Sequence, residues 1–285
     1  MILDGGLGVE LACRGFVYST KLWSGETLLT SSDLLVAVHR AYLAAGAQVI
    51  ETATYQLCHA ALRELDCDDA AIDEIFARAV RLARDAIAAE RVQTGAAGTA
   101  VVAASLGPYG ATVGDRSEYS RTPHVGRAEL YAFHAERSRS VARAAPDMFL
   151  FETIPTHAEA LAIAEVARDL GLANVWLSLA CADGEFTYGG DRASAIAHEL
   201  DAFACIDVVG VNCTAPAAIA GLVRSIQRES AKPVVVCPNI GSGEADLVRR
   251  VPEWLALGVA HIGGCCGVGP STIAAIAAVA ADRAA

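Results

Sequence analysis

The sequence predicts an α/β fold, a single (β/α)8 TIM barrel that spans residues 1–285. Apolar runs of strand length alternate with longer helical patterns along the whole chain, which indicates repeated β-α units around a parallel sheet. A length of 285 residues suits one such barrel, which typically needs about 250 residues. No linker rich in proline, serine or glycine divides the chain, so we expect one domain.

We expect eight strands, several of them apolar on both faces as in the buried wall of a barrel. The predicted strands are Met1–Asp4, Gln48–Thr54, Val101–Gly107, Met148–Pro155, Val175–Ala180, Ile206–Cys213, Pro233–Asn239 and Ala260–Cys266. Parallel strands in such a barrel end at one face, and the chemistry of these proteins is found at that carboxyl face.

The segments between the strands have apolar residues at intervals of three and four, which is typical of helices packed on a sheet. The predicted helices include Asp33–Ala45, Ala70–Glu90, Arg127–Ala145, His157–Leu170, Ala193–Phe203 and Ser271–Ala284. The longest irregular segments, residues 11–32 and 108–123, follow the first and third predicted strands. We therefore expect both segments at the carboxyl face.

The composition favours a large core and argues against several kinds of partner. Hydrophobic residues make up 54% of the chain and charged residues 19%, which argues against disorder. A net charge of −11, without a cluster of lysine and arginine, argues against nucleic acid and anionic membranes as partners. The chain has no long uninterrupted apolar run and its first residues do not resemble a signal peptide, so we expect a cytoplasmic protein.

The predicted strand ends are polar and rich in glycine, although the chain as a whole is apolar. They carry Asp4–Gly6, Glu51–Tyr55, Ser105–Tyr109, Glu152–Pro155, Val211–Cys213, Pro238–Asn239 and Gly263–Gly267. This concentration of polar side chains predicts a functional site at the carboxyl face.

Three of the nine cysteines lie at two of these strand ends, Cys213 at one and Cys265 and Cys266 at the other. One strand separates the two ends, so they lie roughly 10 Å apart and inward-pointing side chains can meet. A catalytic zinc takes three protein ligands and leaves a fourth position for substrate. The other six cysteines are expected to be packing residues: Cys13, Cys58, Cys67, Cys181, Cys205 and Cys237.

Adjacent residues on a regular strand point to opposite faces, so Cys265 and Cys266 can face one metal only where the backbone turns. The glycines of the string Gly263–Gly267 permit such a turn. A redox disulfide and buried packing are the alternatives for this pair. The position of Cys213 favours a shared zinc ion over both.

The motifs at the strand ends resemble the homocysteine S-methyltransferase family, which also includes betaine–homocysteine methyltransferase and the homocysteine part of methionine synthase. The resemblance covers essentially the whole chain and runs through Asp4–Gly6, Leu22–Ser24, Glu51–Gln56, Ser105–Gly110, Ser117–Tyr119, Glu152–Pro155, Gly210–Cys213, Pro238–Asn239 and Ile262–Gly267. Its most specific elements are Ser-Leu-Gly-Pro-Tyr-Gly and Gly-Gly-Cys-Cys-Gly at this spacing.

The resemblance implies one zinc ion on Cys213, Cys265 and Cys266, with the homocysteine thiolate as the fourth ligand. It also implies that Asp4 and Glu152 hold the ammonium group of homocysteine. The expected substrate-binding residues are Asp4, Gly5, Gly6, Ser105 and Glu152. The alternatives are that Asp4 caps a strand end and that Glu152 pairs with a barrel arginine.

The implied reaction methylates homocysteine to methionine without a protein nucleophile, and we expect S-methylmethionine or S-adenosylmethionine as donor. A cationic donor suits an aromatic pocket. The candidate donor-pocket residues are Trp23, Tyr55, Tyr109 and Asn239, although each aromatic ring has packing within the loop layer as its alternative. Three other functions stay open at this point: a selenol acceptor, betaine as donor, and a metal-holding or thiol-redox protein without methyl transfer.

Overall fold

The computed structural model of the chain describes residues 1–94, 100–112, 117–120 and 125–282. Its centre is one parallel sheet of seven strands, in which neighbours in sequence are neighbours in space. The strands are β1 (Val49–Glu51), β2 (Val101–Leu106), β3 (Met148–Ile154), β4 (Val175–Ala180), β5 (Ile206–Asn212), β6 (Val234–Cys237) and β7 (His261–Ile262). The predicted α/β fold with a parallel sheet is therefore confirmed.

The first predicted strand, Met1–Asp4, is present only as two single-residue bridges. Ile2 forms a parallel bridge to Ile262 of β7, and Leu3 forms one to Val49 of β1. The Leu3 N–H donates to the Ile262 carbonyl at 2.8 Å. The segment therefore contacts both edges of the seven-stranded sheet.

Helices connect successive strands, as in repeated β-α units. They are α1 (Leu7–Cys13), α2 (Thr27–Thr30), α3 (Ser32–Ala44), α4 (His59–Arg63), α5 (Asp69–Thr94), α6 (Arg127–Arg143), α7 (His157–Leu170), α8 (Ala193–Leu200), α9 (Pro216–Glu229), α10 (Glu244–Ala256) and α11 (Pro270–Asp282). Short 3₁₀ turns cover Trp23–Glu26, Tyr109–Thr112 and Ser117–Tyr119. Within the described residues, no helix is both long enough and apolar enough to cross a bilayer.

The segment 11–32, expected to be irregular, is partly helical. It contains the end of α1, the turn Trp23–Glu26 and α2. The Glu26 carboxylate accepts hydrogen bonds from the backbone N–H groups of Ser19 and Thr20, both at 3.0 Å, and so ties the preceding loop to the turn. Of the segment 108–123, residues 113–116 and 121–123 lie outside the described residues, as do residues 283–284 of the last predicted helix.

Two apolar cores lie on either side of the sheet. The larger core fills the space between the sheet and the surrounding helices. The smaller core lies inside the curve of the sheet and contains Leu3, Val49, Ala103, Met148, Leu150, Trp176, Val208, Val235 and Cys237. Because Cys237 belongs to this inner core, its predicted packing role is confirmed.

Strand periodicity places the site directly above the inner core. Residues two apart on a strand face the same side. Glu51 therefore lies on the same face as Val49, Ser105 on that of Ala103, and Glu152 on that of Leu150. The same spacing takes β5 from Val208 through residue 210 to residue 212. The inward face thus changes from apolar to polar at the carboxyl end of the strands.

Candidate metal centre and substrate cavity

Three thiols converge at the carboxyl ends of β5 and β7. The Sγ atoms of Cys213, Cys265 and Cys266 all lie within 4.8 Å of one another. Cys213 Sγ is 2.7 Å from Cys265 Sγ and 3.7 Å from Cys266 Sγ. Cys213 is buried whereas Cys266 is exposed, so the cluster is open to solvent on one side. All three are free cysteines in the structure.

The backbone leaves the regular strand conformation at both ends that carry these thiols. Cys213 has a left-handed φ of 48°, which turns its side chain away from the alternation of β5. After β7, the Cys265 N–H donates to the Pro238 carbonyl at 2.8 Å, and Gly267 has a φ of 81°. A Cβ on Gly264 would lie 2.0 Å from the Val268 side chain. The turn predicted for the glycine-rich string is therefore present.

Asn239 supports the cysteine turn from the loop after β6. Its Oδ1 accepts a hydrogen bond from the backbone N–H of Cys266 at 3.2 Å. The structure thus places this candidate donor-pocket residue behind Cys266, where it holds the backbone of the vicinal pair.

The donor set fits a zinc ion. Zinc–sulfur bonds of about 2.3 Å in a tetrahedron separate two sulfurs by roughly 3.8 Å. Cys213 and Cys266, 3.7 Å apart, match that separation, and Cys265 needs to move by about 1 Å. Hydrogen bonds from the Cys213 and Cys265 thiols lower the pKa of Cys266 to about 3. A metal ligand must be a thiolate, and the cluster already favours one.

A buried group of carboxyls, Asp4, Glu51 and Glu152, lies beside the thiols. Glu152 Oε1 accepts a hydrogen bond from Ser105 Oγ, and Glu152 Oε2 accepts one from Asn212 Nδ2 at 3.2 Å. Burial raises the pKa of Glu152 to about 7. Burial and the neighbouring carboxylates also raise the pKa values of Asp4 and Glu51 well above their usual range.

No cation among the described residues balances this carboxyl cluster. The expected alternative, a barrel arginine on Glu152, is not found, because buried Arg137 donates to the backbone carbonyls of Thr54, Tyr55 and Gly107. Asp4 does cap a strand end, since its Oδ2 accepts from the Glu51 N–H at 3.0 Å. Its Oδ1 is buried and has no hydrogen-bond partner in the structure. The cluster therefore suits a ligand that brings a positive charge and several N–H donors.

Thiols and carboxyls border one cavity of about 160 Å³ that opens to solvent. The cavity is lined by Gly5, Gly6, Leu7, Gly8, Val9, Trp23, Ser24, Glu51, Thr52, Tyr55, Gln56, Ser105, Glu118, Tyr119, Glu152, Thr153, Cys213, Gly264, Cys265 and Cys266. Of the residues expected at the site, Asp4, Tyr109 and Asn239 do not line it.

The aromatic residues expected at the donor pocket separate into two groups. Trp23 stands at the mouth, 37% exposed, with its ring 4.7 Å from that of Tyr18. Tyr55 forms part of the inner wall. Tyr109 turns away, because its hydroxyl donates to Glu129 at 2.9 Å and its ring packs edge-on against Phe133. The structure therefore brings Trp23 and Tyr55 to the cavity and leaves Tyr109 outside.

Tyr119 is a site residue that sequence reasoning did not select. Its hydroxyl lies 3.5 Å from Cys213 Sγ and 4.0 Å from Cys266 Sγ, and its ring packs edge-on against Tyr188. The motif Ser117–Tyr119, part of the family resemblance, was a usable signal for Tyr119, whereas Tyr188 lies in a loop where the sequence shows no periodicity that predicts which side chain turns inward. Glu51 and Asn212 were also passed over as site residues, although their positions at polar strand ends were a usable signal.

Residues 1–280 match the family model described as homocysteine S-methyltransferase. Homocysteine S-methyltransferase 4 from Zea mays is 38% identical over 300 residues, covering 97% of this chain and 88% of that protein. Homocysteine S-methyltransferase from Escherichia coli strain K12 is 33% identical, covering 98% of this chain and 94% of that protein. Selenocysteine Se-methyltransferase from Brassica oleracea var. italica is 34% identical, with coverages of 96% and 87%.

Solved structures agree with the sequence relatives. The metallated form of the homocysteine methyltransferase MmuM from Escherichia coli superposes with a TM-score of 0.91 at 34% identity. The match covers 98% of this chain and 96% of that chain. The oxidized form of MmuM gives a TM-score of 0.92 at the same identity, covering 98% of this chain and 95% of that chain.

Proposed function

Because the chain belongs to the homocysteine S-methyltransferase family, and so is a methyltransferase acting on a thiol, we propose that it methylates homocysteine to form methionine. One observation carries this proposal: a single cavity holds three convergent thiols and an unbalanced carboxyl cluster. Homocysteine has a thiol at one end and an ammonium group at the other. The two parts of the cavity match these two groups.

Zinc is the metal we propose, held by Cys213, Cys265 and Cys266. Three thiol ligands favour zinc over the harder cations, which prefer oxygen. Bound zinc would lower the pKa of the homocysteine thiol in its fourth position, so that the nucleophilic thiolate is present at neutral pH. A free thiol has a pKa near 8.5, so complete ionisation at pH 7 contributes only about 2 kcal/mol.

The carboxyl cluster would bind the ammonium group of homocysteine. Glu51 and Glu152 line the cavity, and an ammonium group bound beside them would favour the ionised forms of this cluster. Gly5 and Gly6 line the cavity, and Gly6 lets the backbone approach the cysteine turn closely, since a Cβ there would lie 2.6 Å from the Cys265 carbonyl oxygen. Binding of its thiol at the cysteines and of its ammonium group at the carboxyls would hold homocysteine in one orientation. Such alignment of reactants is worth roughly 7–11 kcal/mol, more than ionisation of the thiol.

We propose a sulfonium, S-methylmethionine or S-adenosylmethionine, as the methyl donor. The methyl group passes to the acceptor sulfur while the electron pair of the broken carbon–sulfur bond stays on the donor sulfur. The donor loses its positive charge in this step. Trp23 and Tyr55 provide aromatic surface that would hold the cation near the thiols.

We further propose that residues 1–285 form one domain and that the segment before Asp4 serves as the eighth strand of a closed barrel. Its bridges to β7 and β1 support this arrangement. We place the protein in the cytoplasm, where a reducing environment keeps three clustered thiols available for a metal. A non-catalytic role in metal storage or thiol redox chemistry is not favoured, because it leaves the carboxyl cluster without a purpose.

Selenocysteine is the second acceptor to consider, because one relative at 34% identity is named for selenocysteine methylation. A selenol would meet the same three thiols, and its amino group the same carboxyls. Both acceptors are therefore compared in the assay.

The test measures zinc and turnover in the reduced protein. Wild type, Cys266→Ser and the control Cys13→Ser, an exposed cysteine outside the cluster, are compared with each acceptor and each donor. We expect about one zinc per chain and donor-dependent methionine formation in wild type and the control, and loss of both in Cys266→Ser. Zinc without methionine formation would overturn the proposed substrate, and absence of zinc after reduction would overturn the metal centre.

A further inference from the structure

We propose that Asn212 is a positioning residue that orients Glu152 for the amino group of the acceptor. This inference rests on the proposed binding of homocysteine. Asn212 is the last residue of β5, 2% exposed, and immediately precedes Cys213. It therefore lies between the carboxyl cluster and the thiols.

The hydrogen bonds of Asn212 determine which way its amide group faces. Its Oδ1 accepts from the backbone N–H of Thr153 at 2.7 Å and lies 2.8 Å from Ser178 Oγ. A backbone N–H is always a donor, so the atom facing it must be the amide oxygen. The Nδ2 group must then face the opposite side, where it donates to Thr153 Oγ1 at 2.8 Å and to Glu152 Oε2 at 3.2 Å.

Thr153 makes this orientation necessary. Its φ is 64°, a left-handed conformation that is unusual for a β-branched residue. Asn212 contacts both the N–H and the hydroxyl of Thr153, and so holds the turn that follows Glu152. The turn and the carboxylate are thus fixed by the same side chain.

Glu152 accepts from two neutral donors, Ser105 on Oε1 and Asn212 on Oε2, and also shares a side-chain hydrogen bond with Glu51. Two donors on a buried carboxylate set the plane of the group without neutralising it. These donors give Glu152 no counter-ion, and a cationic ligand would supply one and favour the ionised form of the carboxyl. A guanidinium or ammonium side chain at position 212 would orient Glu152 equally well but would compete with the ligand for its charge.

The Asn212→Asp variant tests whether Asn212 orients Glu152, in a protein that we expect to keep its fold. An aspartate keeps an oxygen toward the Thr153 N–H and Ser178, and replaces the Nδ2 donor that faces Glu152, Thr153 Oγ1 and, at 4.0 Å, Cys265 Sγ. We expect KM for homocysteine to rise at least about tenfold, the usual effect of losing a hydrogen bond to a charged group. For 4-mercaptobutanoate, which is homocysteine without its amino group, we expect KM to change by less than about threefold. Zinc content should stay at the wild-type level.

Ser178→Ala is the matched control, because it removes a neighbour of Oδ1 and leaves Nδ2 facing Glu152. We expect it to leave the ratio of the two KM values unchanged. If Asn212→Asp does not fold, Asn212→Ser is compared in the same way, with zinc content and thermal unfolding as checks on the fold.

Equal losses for both thiols in the folded variants would overturn the positioning role, because a purely structural defect lowers turnover of any acceptor. Failure of wild type to bind or methylate homocysteine would overturn the proposed function and this inference together. The measurement of homocysteine methylation by the wild type therefore distinguishes failure of the proposed function from failure of the positioning role.

Discussion

Gly107 lies directly against the ring of Tyr55: a Cβ added at residue 107 would be 2.7 Å from Tyr55 Cε2 and 2.8 Å from its Cζ. Tyr55 lines the cavity, and Gly107 follows β2 on the next strand end. The Gly107 N–H also donates to the Tyr55 carbonyl at 3.0 Å. The absence of a side chain at residue 107 therefore sets the position of an aromatic wall of the site.

Gly107→Ala should push the Tyr55 ring into the cavity. We expect a folded protein whose kcat/KM for methyl transfer falls at least about tenfold, since a displacement of about 1 Å in a site can cost far more. Steady-state kinetics with homocysteine and the active donor measure the effect. Gly184→Ala is the control, because a Cβ there would meet open space. Equal activity of the two variants would contradict this assignment for Tyr55.

The carboxyl cluster should make stability depend on pH. Burial raises the pKa of Glu152 to about 7, above its usual value of 4.5, so the folded state binds more protons than the unfolded chain between these values. This contribution to the free energy of unfolding is complete below pH 4.5 and is lost as the pH rises through 7. We expect Glu152→Gln to reduce the fall in stability between pH 5.5 and 7.5, measured by urea unfolding at both pH values. If the free energy of unfolding of Glu152→Gln falls as steeply with pH as that of the wild type, Glu152 is not the source of the pH dependence.

Tyr119 should affect retention of the metal. Its hydroxyl lies 3.5 Å from Cys213 Sγ, and groups that hydrogen-bond to metal ligands typically change metal affinity by about 10–100-fold. We expect Tyr119→Phe to lose zinc to a chelator several-fold faster, with unchanged thermal stability before chelation. Tyr188→Phe, which keeps the ring contact with Tyr119, should behave as wild type. Identical rates of zinc loss in Tyr119→Phe and Tyr188→Phe would show that the Tyr119 hydroxyl does not contribute to retention of the metal.

Arg137 should stabilise the loops that carry Tyr55 and Gly107. Its buried guanidinium donates to three backbone carbonyls, and Arg137→Met would leave all three without this donor. We expect the free energy of unfolding to fall by roughly 3 kcal/mol, measured with urea. Arg139→Met, on the exposed side of α6, should change it by less than about 0.5 kcal/mol. A comparable loss of stability in Arg137→Met and Arg139→Met would contradict the role of the hydrogen bonds to the three carbonyls.

Some elements could be predicted to the residue because local signals mark both of their ends. The helix His157–Leu170 agrees with α7: Thr156 Oγ1 accepts from the Glu159 N–H at 3.3 Å, and Gly171 has the left-handed φ that ends a helix. The strand Val175–Ala180 likewise agrees with β4, a continuous apolar run. The gathering of Cys213, Cys265 and Cys266 followed from strand order together with the turn that the glycines of Gly263–Gly267 permit.

Other features depend on long-range contacts that no local pattern encodes. The predicted strand Ala260–Cys266 shortens to β7 because the Gly264 N–H bonds the Asp4 carbonyl and the Cys265 N–H bonds that of Pro238, so the chain leaves the sheet. Tyr109 is turned away from the cavity by Glu129, a residue on α6. The same limit applies to the hydrogen bonds of Asn212, whose partners Glu152, Thr153 and Ser178 come from two other strands, β3 and β4.

The bond from the Gly264 N–H to the Asp4 carbonyl joins the beginning of the chain to its last loop. The ribosome makes the chain from its N-terminus, so Asp4, Glu51 and Glu152 emerge long before Cys265 and Cys266. A nascent chain therefore carries the acidic half of its pocket while it still lacks two of its three metal-binding thiols. The set of three thiols is complete only once Cys265 and Cys266 have been synthesised, so metal capture by all three must follow translation of the carboxyl cluster and of Cys213.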